Sequence, residues 1–232
     1  MSYGSAFFNN SGPKAEHLTR SGSSAEVRDL RKDVSSEFSR LAALAVAEFT
    51  NPAAAASNSL KTATATVAAV VVLTPADFVG SGELAFARPV TFTTAGGTPA
   101  HAPATAALEG LDVDGKFISE TVNVGQTATT VSSTKCYKKL LKVTYAAADG
   151  TDATVAIGHG AGLGLARAPK SRAGLIRPLF ENQDGAAVSP ASGTLSAAAT
   201  NPPYGMYTPA DPADGTSDYA VFYEADQSVT NA

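Results

Sequence analysis

Several groups of residues in this chain have the types and spacings from which chemistry is ordinarily built. The first is GHGAGLG, Gly158 to Gly164. A dinucleotide-binding turn needs G-x-G-x-x-G, because the glycines let the backbone approach a pyrophosphate. Counted from Gly158 the last position is Leu163, and counted from Gly160 it is Leu165, so both frames fail. The segment also follows a strand that reads as part of a hairpin, not of a βαβ unit. It is therefore a glycine-rich strand exit and not a phosphate cradle.

The histidines are His17, His101 and His159, in an arm, a loop and that exit. None has a second ligand type at i+2 or i+4, so no metal is expected. Each is expected to face solvent or an interface. Cys136 is the single cysteine, which excludes an intrachain disulfide and a cysteine-rich zinc site. It sits in a strand pattern beside Tyr137 with no histidine near it in sequence, so it reads as a small buried hydrophobe, not a nucleophile. Glu109 and Glu120 can approach across a hairpin, but on a Thr-rich face they read as solvated carboxylates and not as a glycosidase pair. No G-x-S-x-G elbow and no Walker A pattern occurs. The expectation is a protein without cofactor that is not an enzyme.

Two basic clusters remain. Lys135, Lys138, Lys139 and Lys142 crowd one strand, where lysine on a sheet edge blocks stray pairing. Arg167, Lys170, Arg172 and Arg177 open the C-terminal segment and are assigned to acidic patches on a protein partner. Neither cluster is interleaved with aromatics as in a single-strand binder. With a formal net charge of −4, no nucleic-acid partner is expected. The densest apolar run, VAAVVVL (Val67 to Leu73), is far short of the roughly 20 residues that span a bilayer, so no membrane association is expected. The start MSYGSAFFNN lacks a charged region followed by an apolar run, so no signal peptide is expected, and assembly in a cytoplasm follows.

The elements that must position these groups are mostly strands. In LDVDGKFISETVNV, Leu111 to Val124, apolar and polar residues alternate around Asp114-Gly115, the signal of a two-residue hairpin turn. KCYKKLLKVTYAA, then Asp149-Gly150, then DATVAIG predicts a second hairpin of the same kind. TATATVAAVVVL and RPVTFTT read as further strands, the latter at a strand start or sheet edge because of Pro89. With aromatics at 7% and no tryptophan, the core is expected to be thin and β-branched.

Upstream, Ser23 and Glu26 form a capping-box pattern. Val27, Leu30, Val34, Phe38, Leu41, Leu44 and Ala45 then recur at helical spacing and are assigned to one packing stripe. The chain divides into an extended N-terminal arm (1–22), an amphipathic helix (23–50), a linker (51–61), a β body (62–165) and a Pro-rich C-terminal arm (166–232) whose final strand, DYAVFYEAD, returns to the body. The fold class is mainly β: an antiparallel β-sandwich or barrel-like body with an N-terminal amphipathic helix and extended terminal arms. Charged residues make up 16%, below the roughly 25% typical of soluble domains, which fits a surface covered by partners and equally fits compositional drift in an alanine-rich proteome. Residues 1 to 22 and the segment Ala186 to Tyr207 have too few large apolar residues to order without a partner.

Ala107 to Leu165 resembles a pattern of structural proteins in tailed bacteriophages. A G-x-D-x-x-G-x-x-I-x-E-T run is followed by a Thr-rich turn, an aromatic before a strand, an acidic-Gly turn, a V-x-I-G strand and a Gly-Leu exit. The matching residues are Gly110, Asp112, Gly115, Ile118, Glu120, Thr121, Tyr137, Val155, Ile157 and Gly158. The helix pattern SSAEVRDLRKDVSSEF and the closing YTPADPADGTSDYAVFYEAD resemble parts of the same kind of protein. The resemblance implies a capsid decoration (cement) protein on the virion exterior, often trimeric, whose partners are the major capsid protein and itself. It transfers no catalytic residue. Two alternatives stand beside it: a tail or head-to-tail connector component, and a carbohydrate-binding or adhesion module using its loops. Against the latter stand the absence of tryptophan and the few loop aromatics, chiefly Tyr204 and Tyr207.

Overall fold

Strand propensity and period-two burial dominate the computed structural model. It describes residues 44–98, 101–125, 129–169, 175–181, 187–188, 193–197 and 205–225. From Ala45 onward these belong to one compact unit.

The largest sheet has seven strands. They are β2 (Ala56–Ala65), β3 (Val71–Leu73), β4 (Glu83–Ala95), β5 (Thr105–Leu111), β6 (Phe117–Asn123), β7 (Thr130–Tyr145) and β8 (Thr154–His159). Their order is β2-β8-β4-β7-β5-β6, with β3 also pairing β7. A three-stranded sheet joins β9 (Leu163–Leu165), β12 (Thr194–Ala197) and β13 (Gly205–Thr208) in the order β12-β13-β9. A four-stranded sheet runs β1-β14-β10-β11, from β1 (Leu44–Phe49), β10 (Leu175–Glu181), β11 (Ala187–Val188) and β14 (Asp218–Glu224). The registered pairs are antiparallel.

Burial alternates along β5, β6 and β14, so each turns one face inward. One core cluster gathers Val90, Phe92, Leu108, Ile118, Tyr137, Leu140, Val143 and Ile157 from the large sheet. A second gathers Phe49, Leu163, Leu165, Leu195, Tyr207, Tyr219, Val221 and Tyr223. The expected thin β-branched core is thus corrected: Tyr137, Tyr207, Tyr223 and Phe92 are among the largest fully buried side chains.

The mainly-β reading stands, but two parts of the fold expectation do not. The sheets are not closed into a barrel. Among the described residues there is no α-helix, and the end of the expected helix, Leu44–Phe49, is strand β1, paired with β14. Leu44 and Ala45 satisfied a helical spacing, but pairing with a distant strand decides the local conformation. Val27, Leu30, Val34, Phe38 and Leu41 lie outside the described residues, as do the arm 1–22 and the rest of the helix.

The Asp114-Gly115 hairpin forms, with Leu111 opposite Phe117. Its loop is longer than two residues. Gly115 N–H donates to the Asp112 carbonyl and Asp112 N–H to the Lys116 carbonyl. Only Gly115, at φ +77°, takes a left-handed conformation there. This is a type I turn followed by a glycine bulge. The Asp112 carboxylate fixes it by accepting the N–H groups of Asp114 and Lys116 at 2.9 and 2.8 Å.

The second hairpin is absent. β7 and β8 lie on opposite sides of β4, and both pair with it. Asp149-Gly150 therefore sits in a crossing and not in a tight turn. A side chain at Gly150 would strike the ring of His101, which instead reaches the Asp152 carboxylate. Pro89 is likewise inside central strand β4, not at an edge. It lies where the β4–β7 register shifts, an irregularity that tolerates a residue without N–H. Part of the presumed C-terminal arm folds on this chain: β12 and β13 pair with each other, and β13 with β9.

Candidate interaction surface

The groups singled out as chemically capable are dispersed by the fold. Glu109 is opposite Ser119 and Glu120 is opposite Leu108, so the two carboxylates point to different faces of the hairpin. Glu109 receives Lys142 Nζ at 2.7 Å. Glu120 accepts the N–H groups of Thr134 and Lys135 at 2.8 and 3.0 Å. Both are structural ligands. Cys136 is buried, and burial pushes its thiol up to about 12. His159 is buried within this chain, where a ring facing solvent or an interface was expected. Among the described residues no group of His, Cys, Asp and Glu is arranged to hold a metal ion.

The lysine cluster is not on an edge, because β7 lies between β4 and β5. Its ammonium groups fasten β7 to its neighbours. Lys138 donates to the carbonyls of Leu84 and Ala85 at 2.6 and 2.7 Å, and Lys135 to that of Ser119 at 2.7 Å. Of the second cluster, Arg167 is exposed, and its carbonyl accepts the Tyr223 hydroxyl at 3.0 Å. Arg177 is in β10, opposite Phe222. Lys170 and Arg172 lie outside the described residues.

What the fold does bring to the surface is apolar. Only the last three residues of VAAVVVL are strand, β3, and Thr66 to Val70 form the bend that joins β2 to it beside the end of β7. Thr66 holds that turn, donating its hydroxyl toward the carbonyls of Gly150 and Ala153 at 3.1 and 3.2 Å. The Val67 carbonyl accepts the Ala148 N–H. Held this way, Val70 and Val72 remain 62% and 52% exposed, and Val67 is exposed beside them. That is an unusual position for side chains whose burial is worth roughly 1.5–3 kcal/mol each.

Next to the valines opens a cavity of about 50 Å³, lined by Lys61, Thr64, Val67, Val71, Tyr145 and Val155 among others. Tyr145 is buried, edge-on to Phe92, and its hydroxyl has no hydrogen-bond partner among the described residues. Burial raises its pKa, so the phenol stays neutral and able to donate. Its described lining is mostly apolar and brings no carboxylate, histidine or cysteine beside Lys61. It is suited to receive an aliphatic group. Sequence reasoning read this run only as strand. The break at Thr66 is set by hydrogen bonds to residues far along the chain, so no local signal marks it.

Compared with protein-family models, with curated proteins and with solved structures, the chain finds no match in any of the three.

Proposed function

We propose that this protein is a non-enzymatic structural component of a tailed-bacteriophage virion, decorating the capsid exterior and bridging subunits of the major capsid protein, itself assembled as a homotrimer. The observation that carries the reading is the valine ridge of Val67, Val70 and Val72 beside the Tyr145 cavity. Exposed apolar surface gathered in one place is what a docking face requires. The residues of the resemblance support it: Gly110, Ile118, Glu120, Tyr137, Val155 and Ile157 lie on β5 to β8, in the body that carries this face. The apolar face makes the contact, and the interlocked sheets keep it rigid.

The test is the protein's copy number in purified particles, together with co-sedimentation of the added protein with capsids that lack it. Hundreds of copies and saturable binding are expected. The double variant Val70→Asp/Val72→Asp should keep its strand content by circular dichroism and bind at least about tenfold more weakly, since two buried apolar contacts are lost. A dozen copies or fewer would move the protein to the tail or connector. Absence from particles would overturn the reading.

A further inference from the structure

The GHGAGLG segment is where the chain leaves β8 of the seven-stranded sheet and enters β9 of the three-stranded one. Arg88 of β4 holds that crossing. Its Nη1 donates to the Gly160 carbonyl at 3.1 Å and lies 3.1 Å from Nδ1 of His159. The Gly160 N–H in turn donates to the Pro89 carbonyl at 2.9 Å. Both side chains are buried, Arg88 to 3% and His159 to 7% exposure.

The tautomer follows from the partner. A guanidinium has donors only, so Nδ1 of His159 must supply the lone pair, and the neutral ring carries its proton on Nε2. Protonating Nδ1 removes the acceptor. It also sets two cations against each other at hydrogen-bonding distance in a buried place. Among the described residues no carboxylate bonds to either side chain. The other titratable groups acting on Arg88 are the buried Cys136 thiol of β7 and Tyr219 of β14, whose hydroxyl donates to the Asp211 carbonyl. On the β2 side His159 is opposite Ala56, which brings no charge. The backbone carbonyls of Gly160 and His159 favour the imidazolium in part, but burial and Arg88 outweigh them.

We propose that the Arg88–His159 contact is an acid-released latch: protonation of His159 frees the β8–β9 crossing and loosens the β9-β13-β12 sheet. Burial first, and then Arg88, holds the imidazole below its ordinary range, in keeping with the geometry. The sign is fixed by linkage. A base whose pKa is lower folded than unfolded takes up its proton on unfolding. The latch is therefore fully closed above about pH 6.5 and weakens as the pH falls below that value.

The full chain tests this in two ways. In NMR spectra of the imidazole nitrogens, His159 should show a bare Nδ1 and a protonated Nε2 at pH 7, and should titrate below the ordinary histidine range. In urea unfolding from pH 7.5 to 4.5, the wild type should lose stability relative to His159→Asn, whose amide oxygen replaces Nδ1 as a non-titrating acceptor. The excess change in the unfolding constant should approach tenfold per pH unit below about pH 6.5. A proton on Nδ1 at pH 7, or titration at or above the ordinary range, would overturn the latch. So would equal pH slopes in wild type and variant. The NMR measurement needs no substitution and decides the matter if the variant fails to fold.

Discussion

The Ser133 hydroxyl accepts the backbone N–H of Val90 at 2.8 Å and donates to the Lys135 carbonyl at 2.8 Å. Val90 is fully buried, and it lies where the β4–β7 register shifts between Pro89 and Thr91. A side chain thus completes a ladder that the backbone leaves open. Ser133→Ala should orphan a buried N–H and cost about 1–3 kcal/mol in urea unfolding. A loss within about 0.5 kcal/mol, as for an ordinary surface change, would show that the bulge is satisfied otherwise.

Gly164 makes a different demand. A Cβ there would come within 2.7 Å of the Cys136 Cβ and 2.9 Å of the Ala87 Cβ. Gly164→Ala is expected to cost about 1–3 kcal/mol by overpacking, read from the shift of the unfolding midpoint. Gly115→Ala meets no atom but keeps φ at +77°, so its cost should be smaller, about 1 kcal/mol.

Tyr145→Phe separates stability from docking. The hydroxyl is buried and has no partner among the described residues, so removing it should leave the free protein as stable or more stable, by up to about 1–3 kcal/mol. If a capsid subunit supplies the missing acceptor, the same variant should bind particles several-fold more weakly, since a hydrogen bond contributes about 1 kcal/mol. Unchanged binding would restrict the docking face to its valines.

Alkali should find Cys136. The buried thiol ionises only near pH 12, while in the unfolded chain it does so from about 9. Stability is therefore complete below pH 9 and falls as the pH rises from there towards 12. Iodoacetamide at pH 8 should leave the native thiol unmodified and alkylate it in urea. Rapid native labelling would contradict the burial.

The β5–β6 hairpin was legible in the sequence because its signals are local: alternation on both sides of Asp114-Gly115. Its burial follows suit, with Ile118 3% exposed and Phe117 60%. The β7–β8 pairing was misread because Asp149-Gly150 carries the same local chemistry. What decides there is that β4, far upstream, inserts between the two strands. Leu44 and Ala45 fitted a helical stripe until β14 claimed them. Arg88 and His159 were unreadable for a related reason. A charged or polar residue reads as exposed unless its partner is known, and here the partners are 71 residues apart. The valine ridge is apolar in sequence, and only the tertiary turn at Thr66 exposes it.

The placement of β4 between β7 and β8 also sets a timetable for the nascent chain. β4 ends at Ala95, and the first of its two partners begins only at Thr130. At synthesis rates of roughly 5–20 residues per second, Val90 and Phe92 leave the ribosome some seconds before a strand that pairs with β4. The last described strand, β14, is the one that β1 pairs with among the described strands, so that pairing must wait for it. The β1–β14 pairing is thus the last of the described ones to form, and a translational pause after Ala95 would lengthen the time for which β4 stays unpaired.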